Sequence, residues 1–188
     1  GELTITPPHH QNFAGSFPPA RWTRFSGLLA SPSSLTSIAS GWISDDWRNV
    51  SSPVNLSSRV NIYGGSANYW FITPTLNLGT GTNYELVFDL ALTAYAATET
   101  PDLDGVDDKF AVVISTDNGV TWTAANTLRL WDNAGSPNVY NNISFTGETI
   151  TLPLTGYTGM VKVAFYGEST LSNADNDLFV DNVRIRAI

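Results

Sequence analysis

From Tyr69 onward the chain breaks into short apolar-rich runs: Tyr69–Thr73, Tyr84–Leu92, Lys109–Ser115, Asn141–Phe145, Glu148–Leu152, Val161–Tyr166 and Leu178–Arg186. Clusters of Gly, Asn, Asp, Ser and Pro separate them, the punctuation of short strands joined by turns. In Val161–Tyr166 the first, third and fifth residues are apolar, and a period of two places Val161, Val163 and Phe165 on one core-facing side. The run from Phe110 to Ile114 is apolar throughout, which predicts a central strand covered on both faces. No twelve-residue window keeps an apolar spacing of three and four, so helix content below about a tenth is expected. The pattern predicts an all-β sandwich.

The first sixty residues are less regular. Six prolines and a run of small residues from Ala30 to Ser40 surround Trp22, Phe25, Trp42 and Trp47. This predicts short strands and long loops that wrap the sandwich, within one domain spanning residues 1–188. No repeat or linker-like shift in composition divides the chain. Thr, Ser and Asn take the place of charge: only 14% of residues are Asp, Glu, Lys or Arg, against about 25% in an average soluble protein.

The charge that remains is lopsided, seventeen acids against nine Lys and Arg, a formal net charge of -8. A phosphate backbone would be repelled, which excludes nucleic acid as a partner. With no cysteine, disulfide frameworks, thiolate zinc sites and a Cys nucleophile are excluded together. No apolar stretch approaches the roughly 20 residues of a membrane span and no signal-like segment opens the chain, so the expectation is a mature or excised module that does not insert into membranes.

The acids cluster. Glu99, Asp102, Asp104, Asp107 and Asp108 lie within ten residues, and Glu168, Asp175, Asp177 and Asp181 within fourteen. Crowded carboxylates repel unless neutralised, and calcium, a hard cation taking six to eight oxygen ligands, suits such a set; a solvated acidic loop is the alternative. The run Asp102-Leu103-Asp104-Gly105-Val106-Asp107-Asp108 has alternating acids and a bend glycine but lacks the downstream Glu of an EF-hand. Period two also puts Asp181 on the face of Phe179, Val183 and Ile185, where a carboxylate needs a cation, backbone N–H groups or an Arg. Asp104, Asp107, Asp108, Asp175, Asp177 and Asp181 are the candidate metal ligands.

Ser115-Thr116-Asp117-Asn118-Gly119-Val120-Thr121-Trp122 has the tip of a hairpin and matches the Asp-box pattern, read as a stapled turn over a buried Trp. Flat aromatics can stack on sugar rings or fill a core. Trp131 and Tyr140 flank an amide-rich stretch, Asp132–Asn138, and Tyr166 falls opposite Val161, Val163 and Phe165. With Asn138 they form the candidate ligand-binding set. Strand-borne Glu-x-Asp-x-x-Glu patterns of sandwich glycosidases do not occur, and the only histidines, His9 and His10, sit in a Pro-rich arm unsuited to a rigid base. No catalytic residue is assigned.

Taken in order, several segments resemble the cleaved-adhesin and choice-of-anchor J group of bacterial extracellular domains, relatives in architecture of MAM domains and calcium-binding jelly-roll carbohydrate modules. They are Asn12–Thr23 with Phe17-Pro18-Pro19-Ala20-Arg21-Trp22, Tyr69–Leu78 with Ile72-Thr73-Pro74, Tyr84–Asp89, Asp107–Ser115, the Trp122 hairpin and the closing Asp177–Val183. The resemblance implies a two-sheet antiparallel jelly roll, export to the cell exterior or bacterial surface, and Asp181 as a structural calcium ligand. Where such sequences place an acid before the first Phe this chain has Asn12, and Arg21 replaces the Gly before Trp22. The function expected is a non-catalytic module of a larger secreted chain, next to neighbouring domains, binding a polysaccharide or glycan and stabilised by calcium. A protein-binding adhesin domain, with an extracellular matrix protein as partner, is the alternative, and a polysaccharide hydrolase or lyase ranks third.

Overall fold

The computed structural model describes residues 4–134 and 138–188. Among them the chain forms fourteen strands: β1 (Thr4–Ile5), β2 (His9–Gln11), β3 (Thr23–Ser26), β4 (Thr36–Ser37), β5 (Trp42–Asp46), β6 (Leu56–Ile62), β7 (Ala67–Ile72), β8 (Thr75–Asn77), β9 (Tyr84–Ala94), β10 (Lys109–Ser115), β11 (Thr127–Trp131), β12 (Glu148–Pro153), β13 (Met160–Ser169) and β14 (Asn176–Ala187). The only helical elements there are single turns of 3-10 helix.

The strands form two sheets. In the first, β13 is central, paired with β7 on one side and β10 on the other; β3 and β4 extend it beyond β7, β11 beyond β10, and β8 and β1 continue it past Pro74. The second runs β12-β9-β14-β6-β5, with β2 added to the far end of β14. Pairing between these strands is antiparallel except for β1 with β8. This is the all-β sandwich expected from the pattern, in the two-sheet jelly-roll form that the resemblance implies.

The main core lies between the sheets. Val161, Val163 and Phe165 from β13 meet Leu86, Phe88 and Leu90 from β9 and Leu178 and Val180 from β14, all of them buried. Phe71 of β7 centres an aromatic cluster, 4.7 Å from Trp22, 5.2 Å from Phe17 and 5.9 Å from Trp42 between ring centroids. Trp42 hydrogen bonds through its indole N–H to the Tyr69 carbonyl at 3.1 Å, so this ring is buried without an orphaned donor. The first sixty residues therefore join both sheets: β3 and β4 extend one, β2, β5 and β6 the other.

Two sequence expectations change. Asn141–Phe145 is not a strand; Tyr140–Asn142 forms a 3-10 turn capped by Ile143, because Asn141 donates to the Asn133 side chain and the Leu103 carbonyl in neighbouring loops instead of to a sheet. Asp181 does not share a face with Val183 and Ile185. The β14 register against β9 slips by one residue between Asp181 and Arg184, with Asn182 in the left-handed region at φ 48°. This bulge swaps the parity of the strand: Leu178 and Val180 face the main core before it, Val183 and Ile185 after it. Phe179 instead meets Trp47 on the opposite face.

Replacing Phe71 with Ala should remove the hub of the aromatic cluster and cost about 3–5 kcal/mol in urea unfolding, whereas Leu171→Ala, at an exposed loop position, should change stability by less than about 0.5 kcal/mol.

Candidate functional site

The first sheet is apolar on both faces. Away from the main core, Trp70, Ile72, Ala111, Val113, Ala164 and Tyr166 form a second buried cluster with Leu29 and Trp122. An apolar outer face must be covered, and two segments cover it. One is the loop between β3 and β4, tied down by Trp70, whose indole N–H donates to the Gly27 carbonyl at 2.7 Å, and by Tyr166, whose hydroxyl accepts the Leu29 N–H at 3.1 Å. The other is the hairpin after β10.

That hairpin is the stapled turn its residues predict. The Ser115 hydroxyl donates to Asp117 Oδ1 at 2.7 Å and accepts the Gly119 N–H at 2.8 Å, while the Thr121 N–H and hydroxyl donate to the two Asp117 oxygens at 2.9 and 2.5 Å. These bonds, from Thr121 first, hold the Asp117 carboxyl down to about 2. Gly119 takes φ 81°, which a side chain would resist, and Trp122 packs on Trp70 at 5.6 Å.

Between the two covers lies a cleft of about 570 Å³, with Pro32, Ser33 and Leu35 on one wall and Gly119 to Trp122 on the other. Phe25, Ile72, Thr23 and Lys162 line its floor, and no carboxylate is among the lining residues. An apolar floor flanked by hydroxyls and a single ammonium is suited to a ligand with an apolar face and hydroxyl edges. Reading the sequence did not find this cleft, because its walls come from segments about ninety residues apart and only the fold joins them.

The aromatic residues expected to stack on ligand are interior instead. Trp131 packs on Phe110 at 5.0 Å and is 3% exposed, and Tyr140 and Tyr166 are 0% exposed. Tyr166 donates to Glu168, and burial together with that bond raises its phenol far above the ordinary range. Trp131 and Tyr166 pack on the neighbouring rings of Phe110 and Trp70, and Tyr140 is wholly buried, so none offers a stacking platform. Asn138 is half-buried, its amide oxygen accepting two Arg129 bonds at 2.9 and 2.6 Å. Gly135, Ser136 and Pro137 of the amide-rich stretch lie outside the described residues.

The acids gather at one end of the sandwich, where the loops after β6, β9, β11 and β13 meet, but their side chains part company. Among the described residues no three Asp, Glu or His side chains converge as a ligand set. Asp107 accepts backbone N–H groups of Thr170, Leu171 and Ser172 at 2.5, 2.6 and 3.0 Å; burial pushes its carboxyl up, yet these bonds outweigh it and hold the group well below the carboxylate range. Asp177 accepts from Asn49, Asn61 and the Ala96 N–H, and Asp175 from Asn61 at 2.7 Å. Asp104 is exposed. Asp108 differs: it is wholly buried, Oδ1 accepts from Ser172 at 3.0 Å, and Oδ2 has no partner. Asp181 lies apart at the β14 bulge, opposite Asp89, and accepts the Asn182 N–H at 2.8 Å. Burial, then the Asp89 charge, pushes its carboxyl up to about 7.

No protein-family model matches the chain, and no curated protein sequence matches it. Solved structures do. The K1 cleaved adhesin domain of Lys-gingipain from Porphyromonas gingivalis superposes with a TM-score of 0.58 at 20% identity, covering 97% of this chain and 99% of that one. The K3 cleaved adhesin domain of the same protein gives 0.51 at 17% identity, over 95% and 98%. TmCBM61, solved with β-1,4-galactotriose, gives 0.50 at 14% identity, over 95% and 99%. This chain shares its fold with cleaved adhesin domains and carbohydrate-binding modules, in agreement with the segments quoted above. No helix among the described residues is long and apolar enough to cross a membrane.

A carboxyl raised in the fold binds its proton more tightly there than in the unfolded chain, where it titrates near 4. Stability contributed by protonated Asp181 should therefore fall as pH rises from about 4 through about 7, then level off. Thermal melts across pH 4–8 should show this decline in the wild type, and Asp181→Asn should remove the part of it above about pH 6 while Asp108, which burial raises to about 6, keeps the part below.

Proposed function

We propose that this chain is a non-catalytic, extracellular carbohydrate-binding module whose ligand lies in the cleft between the β3–β4 loop and the Asp-box hairpin. The observation that carries this reading is the cleft's lining: apolar surface from Phe25 and Ile72 on the floor and Trp122 on a wall, hydroxyl-bearing Thr23, Ser33 and Thr121 among them, and no carboxylate. The C–H faces of a sugar ring pack on such a floor while its hydroxyls find donors and acceptors at the rim. Glycoside hydrolysis needs two opposed carboxyl groups, and the cleft supplies none. The fold shared with a module solved on a galactotriose supports the same ligand class.

Adhesion to a protein is the second reading, favoured by one observation. Tyr63, Tyr95, Leu103, Val106 and Leu171 are all exposed at the loop end, a set of anchors of the kind protein interfaces use. The two readings place the partner on different parts of the molecule.

A glycan array beside a panel of matrix proteins separates them. Retention of polysaccharide, weakened at least about tenfold, roughly 1.4 kcal/mol, by Ser33→Trp or Phe25→Ala, is expected. Capture of a matrix protein and no glycan, abolished by Leu171→Asp but not by Ser33→Trp, would replace the first reading with the second.

A further inference from the structure

We propose, building on the cleft reading above, that the sugar held there is an acidic one: a residue of an otherwise neutral glycan whose anionic group, carboxylate or sulfate ester, pairs with Lys162. Among the residues that line the cleft, Lys162 alone carries a charged side chain. The chain has seventeen acids against nine Lys and Arg, yet none of those acids lines this surface. The one acid of the neighbouring hairpin, Asp117, is closed into its own turn, its two carboxylate oxygens accepting from Ser115 and Thr121. An anion in the cleft therefore meets a cation and hydroxyls, with no acid among the lining residues.

The fold positions the ammonium. Lys162 stands opposite Ser115, the residue that opens the hairpin, and its stem lies across the turn so closely that a Cβ on Gly119 would fall 2.8 Å from its Cδ. Lys162 makes a contact of its own within the fold, and an ammonium with three donors has room for a ligand oxygen as well. The apolar part of the floor lies to the other side. Ala164, two residues along β13, pairs with Ile72 of β7, and Ile72 with Thr23 of β3. Two strand spacings of about 4.8 Å separate β3 from β13, so a ring lying on Phe25 and Ile72 has its acid group within reach of Lys162. Charge then decides between ligands. A neutral ring laid over the ammonium withdraws it from water without compensation, whereas an anion offsets the loss. A polyanion is excluded by the same net charge of -8 that repels nucleic acid, so the acid groups are sparse along the glycan.

Isothermal titration of the whole chain tests this by setting each glycan against its own neutralised form: short glucuronoxylan and pectin fragments before and after carboxyl reduction, and carrageenan fragments before and after desulfation. At least one acidic form should bind about tenfold or more tighter than its neutral partner, by a margin that shrinks with added salt. The pair that responds identifies the anion as carboxylate or sulfate. Lys162→Gln should bring the two forms within about twofold of each other, and Lys162→Arg, which keeps the charge, should preserve most of the margin. Acidic forms that bind no tighter than the neutral ones, with Ser33→Trp blocking the latter, leave the cleft reading standing and overturn the acidic preference. A margin that survives Lys162→Gln overturns the role of Lys162, and a chain that retains no glycan of either kind overturns both readings.

Discussion

The structure depends on burying β13 and its neighbours on both faces. Val161, Val163 and Phe165 point into the space between the sheets, and Ala164 and Tyr166 point the other way. A sheet with one wet face would need no cover. This one must be roofed, and the roof is built from a loop pinned by Trp70 and Tyr166 and from a hairpin closed by Asp117. Two covers that do not meet leave a gap over apolar floor. The cleft is thus a by-product of the same burial that stabilises the sheet, and its floor is rigid because core strands form it.

The loop end answers the same rule for charge. Carboxylates withdrawn from water must be matched, and most of them here are matched by amides: three backbone N–H groups on Asp107, and Asn49 and Asn61 on Asp177. That solution lets a chain with few cations of its own keep acids in its loops. It stops at Asp108, where one oxygen faces a glycine instead of a donor.

How much could be read in advance follows from range. Period-two patterning is local, so the strand from Lys109 to Ser115 and the core positions Val161, Val163 and Phe165 were legible. So was the Asp117 staple, whose bonds span at most four residues. The face of Asp181 was not, because a bulge is a property of two strands and leaves no mark in one. Nor could aromatic residues be sorted into platforms and core: Trp131 and Tyr140 sit in polar sequence, yet are buried by strands and loops far away in the chain. The clustering of acids was visible, but which of them would find amides depended on Asn49 and Asn61, separated from Asp175 and Asp177 by 114 to 128 residues.

The two ends of β10 join these themes. Asp108 precedes its first residue and Ser115, its last, opens the Asp-box hairpin, so one strand of seven residues links the acidic loop to a wall of the cleft. Between them β10 is paired along its whole length with β13 and along much of it with β11. A strand held on both sides does not slide when charge at one end is neutralised; slipping by a single residue would turn Phe110, Val112 and Ile114 out of the core. A change of charge at Asp108 therefore bears on the stability of the sheet and leaves the shape of the cleft unchanged. The wall of the cleft that Ser115 opens is thus preformed, whatever the charge of the loop at the other end of the strand.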